Sequence, residues 1–317
     1  MYDCHYDLLT NIYINRENLK NVKQYCNNIF KNSIEGGIFN LFYMSKQEMK
    51  EELSIKPEEI DVIENLRIVN KLIKQKKLIP ENVKYNIGIE GLDYLKNIED
   101  IDVLYDLGVR FVNPVWNNHN KFGTGVRPYE KTNSKEGLTN LGRELIYKLI
   151  KKEITIDVSH SDEQTFWDII EECKKYKNMN PRVIASHSNC KTIFNVQRNL
   201  DDNQIKAIQE FNGIIGIVSV KQFCSDENYE QAYIEHIKHA KKILGTVDNI
   251  VLSTDDMSYY KIEPEKYQNM NIFKQNIIDY EITKRLKQNG FTQNEVDRIK
   301  SENYINFGQN TCKNWKL

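Results

Sequence analysis

Eight short runs rich in Val, Ile and aromatic residues alternate with longer segments of helical periodicity, and this alternation limits the fold of the chain more than any other feature. The runs are DCHYD (3–7), GIFNLFYM (37–44), KYNIGIEG (84–91), VRFVNPVW (109–116), ITIDVS (154–159), RVIASHS (182–188), GIIGIVSV (213–220) and NIVLSTD (249–255). Several are continuously apolar, as strands covered on both faces are. Between them, 58–75, 138–152, 161–176, 200–211 and 233–244 repeat apolar residues at helical spacing. Thr139 and Ser161 supply capping chemistry at two of these helix starts. Strands that alternate with helices build a parallel sheet, and eight of them close a barrel. The competing open, doubly wound sheet carries a glycine-rich phosphate loop after its first strand, and this chain has none. The expected fold is therefore an α/β, TIM-type (β/α)8 barrel. It is expected to be one catalytic domain over 1–317, with a helical C-terminal extension from about 257.

Charge excludes some partners. Lys plus Arg total 44 and Asp plus Glu total 45, for a formal net charge of −1. That balance gives no electrostatic reason to expect nucleic acid or an acidic membrane surface as a partner. The six cysteines form no C-x-x-C pair. No signal peptide pattern stands at residue 1, and no apolar run reaches the roughly 18 residues that span a bilayer. Reduced thiols and a cytoplasmic location are the expectation.

The reactive side chains fall at the ends of the runs. His5 and Asp7 end the first, Glu90 the third and Asp255 the eighth. His160 follows the fifth, and His187 sits at the end of the sixth. In a barrel those ends form one rim, where active sites lie. Imidazole nitrogen with carboxylate oxygen suits Zn²⁺, Mn²⁺ or Fe²⁺. Three His and two carboxylates exceed the three protein ligands usual for one catalytic zinc, so two ions sharing a carboxylate are expected. Glu90, flanked by Gly88 and Gly91, is the natural bridge. Residues i and i+2 of a strand point the same way, so His5 and Asp7 should face the interior, with Cys4 and Tyr6 turned toward the helices.

These stretches carry a family resemblance. D-C-H-Y-D, G-I-E-G, I-D-V-S-H-S-D-E-Q-T-F-W-D, A-S-H-S-N, Q-R-N-L-D-D-N-Q-I-K-A-I and S-T-D occur in an order that resembles the membrane (renal) dipeptidases, peptidase family M19. The resemblance runs from residue 3 to about 307 and is most specific over 138–215. It implies the barrel of the metal-dependent hydrolase superfamily, two Zn²⁺ ions per chain, and hydrolysis of dipeptides, with a D-residue tolerated at the C-terminal position. It implies attack by a metal-bridging hydroxide. His5 and Asp7 would hold the first metal and His160 and His187 the second, with Glu90 bridging and sharing in catalysis. Arg198 would hold the substrate carboxylate, and Asp255 would pair with the ammonium and move a proton. The implied partner is a small dipeptide, and a homodimer is compatible with the sequence.

The resemblance has departures. Asp255 is followed by Asp256-Met257-Ser258 where relatives have an aromatic-Asp-Gly stretch. Trp116 stands where renal members offer a His, which leaves Asn117 or His119 as candidate substrate contacts. The altered loop keeps a second activity open: amide, lactone or acyl-amino-acid hydrolysis on the same metals. An inactive metal-binding barrel is the third reading. Away from the rim, His236 and His239 are expected on a solvated helix face, and Cys190 and Trp167 as packing residues.

Overall fold

The computed structural model describes residues 1–42, 61–126, 136–256, 258 and 269–311. Residues 43–44 of the second run, 58–60 of the first long helical segment, Met257 and Cys312 lie outside them. The strands are β1 (Tyr2–Tyr6), β2 (Gly36–Phe42), β3 (Lys84–Glu90), β4 (Val109–Asn113), β5 (Thr155–Asp157), β6 (Val183–Ile184), β7 (Ile215–Val218) and β8 (Ile250–Ser253). They form one sheet in the order β6-β5-β4-β3-β2-β1-β8-β7, and the pairs within it are parallel. A parallel bridge between Ala185 and Ile215 joins the two ends, so the sheet closes. The close approach there needs a glycine. A Cβ on Gly216 would lie 1.8 Å from the Ser186 carbonyl oxygen.

The helices are α1 (Leu8–Ile14), α2 (Leu19–Asn32), α3 (Val62–Lys76), α4 (Asp100–Asp106), α5 (Asn140–Lys151), α6 (Glu163–Lys175), α7 (Asp202–Gln209), α8 (Lys221–Cys224), α9 (Tyr229–Leu244), α10 (Ile278–Gln288), α11 (Gln293–Asp297) and α12 (Asn303–Thr311). Thr139 caps α5 through the Gly142 N–H, as its position predicts. On α6 the cap is Asp162 rather than Ser161, because the Asp162 carboxylate reaches the Thr165 N–H. Asp201 and Gln204 close a capping box on α7.

Two apolar clusters divide the packing. The larger lies between the strands and the surrounding helices, and it takes in Val112, Ile156, Ile217 and Leu252 from the sheet. The smaller fills the barrel with Tyr2, Cys4, Ile38, Phe111, Ile184, Ile214 and Val251, and α12 adds Tyr304 and Phe307 to it. Tyr304 stacks on Tyr2 at 5.3 Å and takes a hydrogen bond from Asn86. Helix α12 thus closes the end of the barrel opposite the rim where His5 and Glu90 stand.

Cys4 corrects the strand alternation. Tyr2 pairs with Gly36, Asp3 with Gly37 and Tyr6 with Phe39, so Cys4 and His5 together oppose Ile38. This is a β-bulge, which places two adjacent side chains on one side of the sheet. Cys4 therefore joins the barrel interior beneath His5. Tyr6 does face the helices and bonds to Tyr25 of α2 at 2.6 Å. Asp7 lies just past the strand, with φ −76° and ψ 34°.

Candidate metal centre

The strand ends bring six side chains together at one rim. His5, Asp7, Glu90, His160, His187 and Asp255 are all buried. Glu90 stands at the middle. Its Oε2 lies 3.1 Å from His5 Nε2, and its Oε1 lies 2.8 Å from His160 Nε2 and 3.3 Å from His187 Nε2. Asp7 Oδ1 lies 3.7 Å from His5 Nε2. Ligand atoms of His5, Glu90 and His187 fall within 4.8 Å of one another, as do those of His5, Asp7 and Asp255. Both Asp7 oxygens are buried and have no hydrogen-bond partner. Buried carboxylate oxygens are rarely left so unless a cation serves them.

Hydrogen bonds fix the rings. Asn117 Oδ1 lies 2.6 Å from His160 Nδ1. Ser186 Oγ lies 2.9 Å from His5 Nδ1 and 2.7 Å from His187 Nδ1. Each ring is thus engaged at Nδ1 and turns Nε2 toward Glu90, the arrangement that readies an imidazole as a ligand. Asn117, a candidate substrate contact from the sequence, turns its amide oxygen to His160. His119 is exposed and bonds to Thr124 Oγ1 at 3.1 Å.

The field of the cluster is negative on one side and neutral on the other. Burial alone would lower His5, but Glu90, Asp7 and Asp255 outweigh it and push the ring up to about 10. Burial raises Asp7 well above the usual carboxylate range, and repulsion from Glu90 adds to this. Burial also opposes ionisation of Glu90, yet His5 and hydrogen bonds from the three rings hold it well below its ordinary value. Burial, then Arg198, lowers His160 to about 3. Burial, then His5 and Arg198, drives His187 well down. Two neutral imidazoles beside a carboxylate cluster form a donor set that fits divalent ions.

Arg198 is buried close by. Its Nη1 donates to Ser188 Oγ at 3.0 Å, while Nε and Nη2 are buried with no partner. Its guanidinium lies 5.4 Å from the Phe223 ring. Ser188 Oγ continues to Ser159 Oγ at 3.3 Å, and Ser159 Oγ accepts from the His187 N–H at 3.1 Å. Asp255 has φ 49° and His160 φ 69°, a left-handed conformation unusual for either side chain. Burial, with Glu90 repulsion, raises Asp255 to about 6 against the pull of His5 and Arg198.

The family model of the membrane dipeptidases, peptidase family M19, matches residues 1–311. The chain belongs to this family. An uncharacterized protein of Acinetobacter calcoaceticus is 33% identical over 134 residues, which are 41% of this chain and 41% of that one. A protein named as an uncharacterized dipeptidase of Schizosaccharomyces pombe is 27% identical over 173 residues, 53% of this chain and 40% of that one. The matches span about half the length of these curated relatives. The fold is shared with a metallo peptidase from Rhodobacter sphaeroides, solved with a phosphinate mimic of the dipeptide L-Ala-D-Ala. The TM-score is 0.73 at 18% identity, over 98% of this chain and 99% of that one.

Several residues around the site carry no role in the reading of the sequence, although Asp3 and Asp157 lie within the quoted stretches. Asp3 accepts from the His5 N–H at 3.1 Å, the Thr254 N–H at 3.0 Å and Thr254 Oγ1 at 2.5 Å. It ties β1 to the end of β8. Asp157 accepts from the N–H groups of Ser159 and Ser186, both at 3.0 Å. Asp256, in the altered loop, accepts from Tyr25 at 2.7 Å. A carboxylate or hydroxyl one or two places from each ligand is the only signal these residues leave in the sequence.

His236 departs from its expected solvated position. It is buried, accepts from the Cys190 N–H at 3.1 Å and bonds through Nε2 to the Cys224 carbonyl at 2.9 Å. His239 is also largely covered rather than solvated, and it pairs with Asp202 of α7 at 2.7 Å. Cys190 is buried, and Trp167 packs against the main core. No helix among the described residues is long and apolar enough to cross a membrane.

Proposed function

We propose that this chain is a zinc-dependent dipeptidase holding two metal ions, acting as a single catalytic unit over 1–317. The observation that carries the reading is the division of Glu90: one oxygen faces His5, the other His160 and His187, with the unpartnered Asp7 carboxylate alongside. His5 and Asp7 would hold one ion, His160 and His187 the other, and Glu90 would lie between them. A bound ion pair would supply Lewis-acid polarisation of the peptide carbonyl and an activated water. Other divalent metals suit the same donors.

The chain's own groups supply the rest. Arg198, with two free N–H directions in a buried setting, suits a planar carboxylate at one end of the substrate. Asp255, raised to about 6, is placed in proton affinity to accept and return a proton near neutral pH, and its charge suits an ammonium. Opposite charges at the two ends favour a substrate as short as a dipeptide. Trp116, 5.9 Å from the His160 ring and 5.0 Å from Phe42, would wall the site on the β4 side. Among the described residues five cysteines are buried and free, which suits a reducing compartment and favours a cytoplasmic location.

The test is hydrolysis. The zinc-loaded protein is assayed against a panel of L,L- and L,D-dipeptides. Turnover of at least one is expected. Metal bound at two equivalents with no member hydrolysed would overturn the reading.

A further inference from the structure

Ser186 lies fully buried between His5 and His187, and its single hydroxyl meets the Nδ1 atoms of both rings, at 2.9 Å and 2.7 Å. The rings themselves pack with centroids 3.7 Å apart. One ring comes from β1 and the other from the end of β6, strands on different sides of the barrel. We propose that Ser186 is a positioning residue for both metal sites at once, a reading that rests on the binuclear centre proposed above.

The argument is one of hydrogen-bond inventory. A serine hydroxyl has one proton to donate and two lone pairs to accept with, and a neutral imidazole carries its proton on one nitrogen only. A ring that receives the Ser186 proton at Nδ1 must carry its own proton on Nε2, and that nitrogen then has no lone pair for a metal. A ring that donates from Nδ1 to Ser186 leaves Nε2 free. Both histidines can be ligands together only when Ser186 accepts from both. An Oγ that accepts from both rings holds the ligand tautomer on the two halves of the centre together, and Glu90 faces the opposite nitrogen of each ring.

Ser186 is itself held in place. Its N–H donates to Asp157 at 3.0 Å, and its carbonyl lies against Gly216 where the barrel closes. The third ring, His160, is oriented separately by Asn117. The two orienting groups therefore make different predictions. Losing Ser186 loosens a ligand on each side of Glu90, and losing Asn117 loosens one side only.

The experiment is zinc titration of the metal-free protein against a chromophoric chelator, for wild type, Ser186→Ala, Ser186→Thr and Asn117→Ala. Wild type is expected to bind two equivalents. Ser186→Ala should weaken both binding steps, each by roughly 10- to 100-fold, as loss of an outer hydrogen bond to a ligating histidine does. Ser186→Thr keeps the hydroxyl and should keep both affinities near wild type. Asn117→Ala should weaken one step. Ser186→Ala that leaves either step unchanged overturns the proposal, and the binuclear reading survives. Wild type that binds no metal overturns both. Should Ser186→Ala not fold, long-range proton–nitrogen spectra of the zinc-loaded wild type decide. A proton on Nδ1 of both His5 and His187 is expected, and a proton on Nε2 of either overturns the proposal.

Discussion

The Asp255 N–H donates to the His5 carbonyl at 3.0 Å, so the carboxylate just past the last strand is pinned to the backbone of the first strand's histidine. Asp255 holds a left-handed conformation there, which Asn also tolerates. Asp255→Asn should therefore fold and bind metal like wild type while losing the proton carrier. We expect kcat for the best dipeptide to fall by about 100- to 10,000-fold with unchanged zinc stoichiometry. Full activity in this variant would remove Asp255 from the chemistry.

Arg198 makes one hydrogen bond and leaves two nitrogens unserved in a buried setting. Arg198→Met should lower kcat/KM for dipeptides by roughly 100- to 1,000-fold, through loss of a buried charge contact to substrate. The same substitution should leave kcat/KM for dipeptide amides, which lack the terminal carboxylate, nearly unchanged. Equal losses on acids and amides would contradict a carboxylate clamp. Thermal stability should not fall, because an isolated buried cation costs more than a well-packed apolar side chain.

Asn117 reads out on metal rather than on substrate. With its oxygen 2.6 Å from His160 Nδ1, Asn117→Asp keeps an acceptor and should retain zinc, whereas Asn117→Leu should not. Loss of about one equivalent after dialysis is expected for the leucine variant only. A rise in KM with full metal content would return Asn117 to the substrate.

His236 gives a pH signature remote from the metal cluster. Burial lowers it from 6.5 to about 4. Between those values the unfolded chain binds a proton that the folded chain refuses, so stability falls as pH drops from 6.5 toward 4. The full effect is roughly 3 kcal/mol. His236→Gln should fold less stably near pH 7, since the two hydrogen bonds are not both reproduced, but should show a shallower decline on acidification. Urea midpoints at pH 7, 6, 5 and 4 for the two proteins measure the difference. Parallel curves would assign the acid sensitivity to other groups.

The barrel was legible because apolar runs and amphipathic segments each carry a period, and their alternation leaves few topologies. The six rim residues were legible because strand ends in a barrel converge, whatever the loops between them do. Other features obey no period. Cys4 was misplaced because a bulge adds a residue without marking the sequence. The burial of His236 obeys no period because α9 turns it inward to serve the Cys190 N–H and the carbonyl at the end of α8. Ser186 stands next to His187 and Asn117 lies in the loop after β4, and the contacts that give them roles reach far along the chain, 181 positions from Ser186 to His5 and 43 from Asn117 to His160.

The bulge in β1 decides how far a change at residue 4 would travel. Cys4 and His5 share one side of the sheet, so a side chain longer than cysteine at position 4 would press on the barrel filling directly beneath a rim histidine. With Cys4 deleted, Tyr2, His5 and Asp7 would still fall on one face by simple alternation. Such a deletion would leave the rim side chains aimed inward but would empty one place in the packing below them.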